Sequence, residues 1–154
     1  MAKLQSGDQA PPFRLLDESG ESVGLSDFAG RRFVLYFYPR DDTPGCTIEA
    51  TQFSALADSF AASATEVVGV SPDDGSSHRR FRERHDLSVR LLSDPDHAVM
   101  EAYGAWGEKT RYGRTSVGVI RSTFLIGADA TIEQAWYNVR AEGHAARVLA
   151  ALGG

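Results

Sequence analysis

Cys46, the single cysteine of the chain, is the residue best placed for covalent chemistry. A run of large apolar residues at 33–38 predicts a buried strand, and Thr43 followed by Pro44 predicts the N-cap and first residue of a helix. Cys46 then lies in the first helical turn, where free N–H groups and the helix dipole favour a thiolate. A lone cysteine is more often a small buried apolar residue, but this context favours a nucleophile.

Ionisation of this thiol requires more than the helix. A free thiol has a pKa of about 8.5, and lowering it by about two to three units takes about 3 to 4 kcal/mol. A helix terminus supplies at most about 2 kcal/mol, and the acidic side chains of Asp41 and Asp42 would oppose the charge. We therefore expect a fixed cation, and favour Arg121 over Arg40. Arg40 is more typical of a solvated loop residue, with substrate steering as the alternative.

A thiolate that attacks an O–O bond needs hydrogen-bond donors aimed at the leaving oxygen. Thr43 precedes Cys46 by three residues, so its hydroxyl can lie on the same side of the first turn; its alternative role is helix capping alone. Pro39 and Pro44 remove backbone donors and stiffen the loop, which limits water around the sulfur. Glu49, one turn after the cysteine, could hold an arginine by a bidentate pair, or could be an exposed acid.

The elements that must position these residues alternate between strand and helix patterns. Strand patterns occur at 33–38, 65–70, 121–126 and 131–138, and helical patterns at 46–62, 94–104 and 145–152. The last two strands suggest a hairpin, and residues 13–25 suggest a second, N-terminal β-hairpin. We predict one α/β domain over residues 1–154, with a mixed sheet flanked by helices. Cys46 lies where a strand leads into a helix, which is where such sheets carry reactive groups.

Composition excludes several function classes. The chain has 154 residues and a net charge of -5, so it has no general attraction for nucleic acid. No apolar run approaches the roughly 20 residues of a membrane span, and the N-terminus lacks a secretory pattern, so we expect a cytoplasmic protein. One cysteine cannot form an internal disulfide, which agrees with a reducing compartment.

Polar clusters away from Cys46 give weaker signals. The arginine-rich segment from Arg79 to Arg84 is typical of a solvated helix face, and a docking patch for an acidic partner is the alternative. The four histidines have no ligand-like spacing, so we expect surface positions and no metal site. They are His78, His85, His97 and His144. Three aromatic residues could line a peroxide pocket, although ordinary packing is the stronger expectation: Trp106, Tyr112 and Trp136.

The segment around Cys46 also resembles a known family. Residues 36–50, YFYPRDDTPGCTIEA, look like the active-site stretch of peroxiredoxins of the bacterioferritin comigratory protein (Q-type) subgroup. Residues 7–13, 103–109 and 118–126 resemble other blocks of that subgroup, so the likeness covers nearly the whole chain. The pattern Pro-x-x-x-Thr-x-x-Cys with a downstream arginine is specific.

The resemblance implies a thioredoxin-like fold and thiol-dependent reduction of hydrogen peroxide or organic hydroperoxides, with no metal or organic cofactor. By matched position, Cys46 would be the peroxidatic cysteine. Thr43 and Arg121 would bind and polarise the peroxide, and Pro39 would shield the sulfur.

The chain departs from this subgroup at Thr51, where many members carry a resolving cysteine. The oxidised Cys46 must then be reduced by an external thiol, which leaves three sources open: a small thiol, a thioredoxin-like protein or a second subunit. A monomer or weak homodimer is expected. A dithiol oxidoreductase would need a second cysteine at the position of Thr43. The remaining alternative is a non-enzymatic redox sensor that signals through oxidised Cys46.

Overall fold

The computed structural model describes residues 3–111 and 113–152. Its elements in chain order are β1 (Arg14–Asp17), β2 (Ser22–Gly24), a 3-10 turn (Leu25–Phe28), β3 (Phe33–Phe37), α1 (Pro44–Ala55), α2 (Ala57–Ala62), β4 (Glu66–Ser71), α3 (Gly75–His85), β5 (Arg90–Ser93), α4 (Ala98–Ala102), β6 (Trp106–Arg111), β7 (Arg114–Val119), β8 (Ser122–Ile126), β9 (Ile132–Trp136) and α5 (His144–Leu152).

Seven of these strands form a mixed sheet in the order β2-β1-β5-β4-β3-β8-β9. β3 lies at its centre, parallel to β4 and antiparallel to β8. All five residues of β3 are buried, because apolar clusters cover both faces of the sheet. The predicted mixed sheet with flanking helices and the N-terminal hairpin of β1 and β2 are therefore confirmed.

Two predictions about the elements were wrong in detail. The predicted helix at 46–62 is two helices, because the chain leaves helical geometry at Leu56 between α1 and α2. Our prediction also omitted β5 and the separate two-stranded sheet of β6 and β7. β5 has only four residues, and most of β7 is exposed, so neither carries the long apolar run that marked β3.

Three of the four arginines of α3 contact residues outside the helix. Arg79 donates to the backbone oxygen of Glu18 at 2.7 Å, and Arg82 lies 3.0 Å from the carboxylate of the same residue. Arg84 lies 3.2 Å from the carboxylate of Asp42. Arg79 and Arg82 thus attach α3 to the loop at Glu18, whereas the pair of Arg84 and Asp42 is solvent-exposed and contributes little to stability. Arg79, Arg80 and Arg84 are exposed, as predicted for a solvated helix face. Within the described ranges, no helix is long and apolar enough to span a bilayer.

Candidate active site

Cys46 is the third residue of α1, just beyond the C-terminal end of β3. Thr43 occupies the N-cap position and Pro44 the first helical position, as predicted from the sequence. The cysteine is 2% exposed and belongs to the apolar cluster that includes Tyr36 and Phe53. The sulfur is therefore held in a nearly water-free position at the start of a helix.

Arg121 connects the sulfur to a buried carboxylate. One guanidinium nitrogen, Nη2, donates to the Cys46 Sγ at 3.3 Å, and the other, Nη1, donates to Glu49 Oε1 at 2.6 Å. Cys46 and Glu49 are three residues apart on α1, so they share one helix face and meet the same arginine. The expectation that Glu49 could be an exposed acid was wrong, because its side chain is fully buried. Its contact with Arg121 is single rather than bidentate, and Oε2 has no partner.

The buried residues around Cys46 shift the pKa values of one another. Burial raises the pKa of Glu49 to about 7, and the neighbouring Arg121 limits that rise. Burial opposes the charge of Arg121, but Glu49 and Cys46 together raise the pKa of the guanidinium above its ordinary value. Burial also raises the pKa of Tyr36 well above its usual range, with Glu49 and Cys46 adding to the effect. Arg121 thus keeps its positive charge beside the sulfur, and the nearby phenol stays neutral.

The hydroxyl of Thr43 has a partner other than the one capping predicts. It donates to the backbone oxygen of Arg40 at 2.8 Å and makes no capping bond to the helix. Arg40 itself is exposed, as expected for a loop residue. The hydroxyl therefore bridges the loop before Cys46 in the absence of substrate.

A pocket of about 670 Å³ adjoins Arg121 on this side of the sheet, and Pro39 and Gly45 form part of its wall. A Cβ at position 45 would lie 3.1 Å from Arg121 Nη2, so glycine allows the guanidinium to approach the helix start. Sequence reasoning missed Gly45, although its place directly before the cysteine is a usable signal. Trp106 stacks on His97 with 3.7 Å between the ring centroids, and it does not line this pocket. Tyr112 lies outside the described residues.

Comparison with known proteins agrees with this geometry. The AhpC/TSA family model matches residues 6–135. The chain belongs to the AhpC/TSA family. It is also 41% identical to peroxiredoxin Bcp of Bacillus subtilis (strain 168) over 149 residues, which is 97% of this chain and 95% of that protein. The resemblance to the Bcp or Q-type peroxiredoxins is thereby confirmed, and the chain is a peroxiredoxin enzyme.

Solved structures confirm the thioredoxin-like fold of this peroxiredoxin. A cysteine-to-serine variant of PrxQ from Xylella fastidiosa superposes with a TM-score of 0.92 at 35% identity, covering 99% of this chain and 98% of that one. A second match is the bacterioferritin comigratory protein of Xanthomonas campestris, whose alkyl peroxide reduction was studied in trapped intermediate and ligand complexes. It superposes with a TM-score of 0.86 at 39% identity. That match covers 92% of this chain and 90% of that one. These relatives support a thiol peroxidase and give no support to the sensor alternative.

The two acidic side chains near the active site of this peroxiredoxin have partners on α3. Asp41 and Asp42 were predicted to oppose the thiolate, and each contacts a histidine ring. Asp41 lies 2.7 Å from the ring of His78, and Asp42 lies 2.8 Å from the ring of His85. Asp42 also lies 3.2 Å from Arg84, whose charge offsets its own.

Two of the histidines expected at the surface are buried. His78 has no exposed side-chain surface, and His144 is 1% exposed. The ring of His144 contacts the hydroxyl of Thr123 at 2.8 Å and packs edge-on against Phe53 and Trp136. Both ring nitrogens of His78 have hydrogen-bond partners, whereas in His144 only Nε2 has one and Nδ1 is buried without a partner. His85 and His97 are half-buried, and no three candidate ligands gather around a metal position among the described residues.

Proposed function

We propose that this peroxiredoxin reduces hydrogen peroxide and organic hydroperoxides by a one-cysteine mechanism centred on Cys46. The observation that carries the proposal is the contact of one guanidinium, that of Arg121, with both the sulfur and Glu49. This arrangement stabilises a thiolate and keeps a donor beside it. The alkyl peroxide reduction studied for the Xanthomonas relative supports organic hydroperoxides as substrates.

In the first step the Cys46 thiolate attacks the terminal oxygen of the peroxide, and an S–O bond forms as the O–O bond breaks. The sulfur is oxidised by two electrons to a sulfenic acid, while the peroxide is reduced to an alcohol or water after its leaving oxygen gains a proton. Arg121 donates toward the oxygens that carry the developing charge. Thr43 acts with it when its hydroxyl turns from the Arg40 carbonyl to the bound peroxide, at the cost of one loop hydrogen bond.

The wall formed by Pro39 protects the reaction from water. Pro39 has no N–H, so it adds no competing donor near the sulfur, and it lines the same pocket as Arg121 and Gly45. Glu49 acts on the peroxide only through Arg121. It is a positioning residue that orients the guanidinium, since the planar fork of an arginine can serve two acceptors at once.

In the second step an external thiol attacks the sulfenic acid, which releases water and leaves a mixed disulfide on Cys46. A second thiol then restores the Cys46 thiol and leaves as the oxidised partner disulfide. The sulfur is 2% exposed, so any thiol reaches it only after the residues around Cys46 move. A small thiol needs a smaller opening than a thioredoxin-like protein, and the pocket beside Gly45 and Arg121 gives it an approach. We therefore favour the small thiol as the reductant.

Turnover with different reductants tests this mechanism. A sub-stoichiometric amount of enzyme should consume excess peroxide with a small thiol present, and Cys46→Ser should abolish that consumption. Mass spectrometry of the oxidised enzyme should find the thiol attached to Cys46. If Cys46→Ser retains activity, the proposal is wrong. One equivalent of peroxide consumed with no turnover, under any thiol, would instead favour a sensor.

A further inference from the structure

The loop between β3 and α1 is attached to α3 through a buried carboxylate. The side chain of Asp41 is 3% exposed. Its Oδ1 accepts from the hydroxyl of Tyr38 at 2.5 Å, and its Oδ2 accepts from the hydroxyl of Ser77 at 2.8 Å. The same Oδ2 lies 2.7 Å from Nδ1 of His78. One carboxylate thus joins the end of β3, the loop that precedes Cys46 and the first turn of α3.

The ring of His78 is held on both sides. Nε2 lies 3.0 Å from the backbone oxygen of Leu92 in β5, and a carbonyl oxygen only accepts, so this nitrogen carries a proton. The other ring nitrogen, Nδ1, shares a hydrogen bond with Asp41 Oδ2, which also accepts from the hydroxyl of Ser77. The ring therefore links the loop to β5 with two directed hydrogen bonds. A buried, fully partnered group of this kind holds one geometry, because any displacement leaves a polar atom unsatisfied.

The loop needs such a restraint because its backbone is strained. Asp42 has a φ of 62°, in the left-handed region that non-glycine residues seldom adopt. The backbone N–H of Asp41 donates to the carboxylate of Asp73 at 2.7 Å, which fixes the loop from a second direction. A strained backbone conformation persists only where the surrounding contacts hold it in place, as these hydrogen bonds do. The same short loop carries Pro39 and Thr43, so its position sets the wall and the donor around the sulfur.

We propose that Asp41 and His78 are positioning residues for the peroxidase reaction, which hold the loop from Pro39 to Thr43 in the conformation that places its groups around Cys46. The proposal rests on the peroxidase function proposed above. Neither side chain touches the sulfur or its arginine, so each acts through the loop. Loss of the pair would leave the catalytic residues present but displaced, and a displacement of about 1 Å at a reacting centre costs roughly 100-fold in rate.

The test compares variants inside and outside the buried group. Asp41→Asn and His78→Asn each replace one partner of the contact between the carboxylate and the ring, and Tyr38→Phe removes one hydrogen bond with little change of shape. Asp42→Asn is the matched control, since it alters a 39% exposed carboxylate on the same loop and asparagine tolerates the left-handed conformation. Each variant is measured for its rate with peroxide, for alkylation of Cys46 across pH, and for folding by circular dichroism.

We expect the rate constant with peroxide to fall roughly 10- to 100-fold in Asp41→Asn and His78→Asn and less in Tyr38→Phe. The pH profile for alkylation of Cys46 should differ from the parent in the first two, because the wall and the donor around the sulfur are displaced. A loss of stability alone would not change that profile in the folded protein. Asp42→Asn should stay within about twofold of the parent.

Folded Asp41→Asn or Tyr38→Phe proteins with the parent rate and the parent alkylation profile would overturn the proposal. If Asp41→Asn and His78→Asn fail to fold, Tyr38→Phe decides it. The alkylation profile needs no peroxide, so it tests positioning even if the parent protein shows no thiol-dependent peroxidase activity. In that case the proposed function fails, and the positioning of the loop is decided separately.

Discussion

Replacement of Arg121 by alanine tests the charge arrangement at Cys46 most directly. The substitution removes the donor that lies 3.3 Å from the sulfur and the partner that lies 2.6 Å from Glu49. We expect two separable effects. Less of Cys46 is ionised at neutral pH, and the remaining thiolate reacts more slowly because the leaving oxygen loses a donor.

The size of each effect follows from the geometry. Two unit charges 4 Å apart interact by about 4 kcal/mol at an effective dielectric constant of about 20, but Glu49 offsets part of this attraction. The typical value of a charge-assisted hydrogen bond, about 1.5 to 3 kcal/mol, is therefore the better guide. At about 1.4 kcal/mol per pH unit, the ionisation of Cys46 should move up by about one to two units. Loss of the oxyanion donor adds a rate decrease of about 100- to 1000-fold.

Stopped-flow measurement with hydrogen peroxide across the pH range separates the two effects. Where Cys46 is fully ionised in both proteins, the remaining difference in rate reports only the leaving oxygen. Arg121→Ala also leaves Glu49 buried without a partner, which costs about 3 kcal/mol of stability. The double variant Arg121→Ala with Glu49→Gln is the matched control, because it removes the stranded carboxylate. The rate of Arg121→Lys with peroxide should fall between those of the parent and of Arg121→Ala. A lysine keeps the positive charge, but one ammonium cannot serve both acceptors in this geometry.

An unchanged titration of Cys46 in folded Arg121→Ala would refute the electrostatic reasoning. An unchanged rate at high pH would refute the role of Arg121 in stabilising the leaving oxygen. Because the two readouts are independent, either part can fail alone.

Three further predictions concern other residues of the site and its surroundings. In Thr43→Val the rate with peroxide, measured by stopped flow, should fall about 100-fold, while Thr43→Ser retains most of it. Equal losses in the two variants would mean that the rate depends on the methyl group of Thr43 and not on its hydroxyl alone. In Thr51→Cys the new thiol lies five residues after Cys46 on α1, a rise of about 7.5 Å, which exceeds the reach of a disulfide while the helix is intact. Mass spectrometry should therefore detect an internal disulfide only together with a loss of helical circular dichroism. Burial, with two nearby arginines, lowers the pKa of His144 from its ordinary 6.5 to about 4, so its contribution to stability is present above about pH 6.5 and is lost as the pH falls toward 4. Urea unfolding of His144→Phe should therefore weaken less between pH 7 and pH 5 than that of the parent, and parallel curves would contradict this sign.

The chemistry at Cys46 could be predicted in part because its signals are local. The apolar run at 33–38 and Pro44 after Thr43 fix a buried strand and a helix start with little help from distant residues. The strand is central, and the cysteine lies in the first turn of the helix, as predicted. The break between α1 and α2 escaped prediction, because apolar spacing continues through Leu56 while the backbone does not.

Sequence alone determined that this protein has one thiol, placed at a strand-to-helix junction, and that any reductant must come from outside the chain. Only tertiary structure decided which cation meets that thiol. Phe37 pairs with Ser122 across β3 and β8, and this register brings Arg121 to the end of the central strand although it lies far along the chain from Cys46. Tertiary structure also decided that His78 is buried. A polar ring enters the interior only where acceptors such as Asp41 are already positioned, and no local pattern of residues specifies that arrangement.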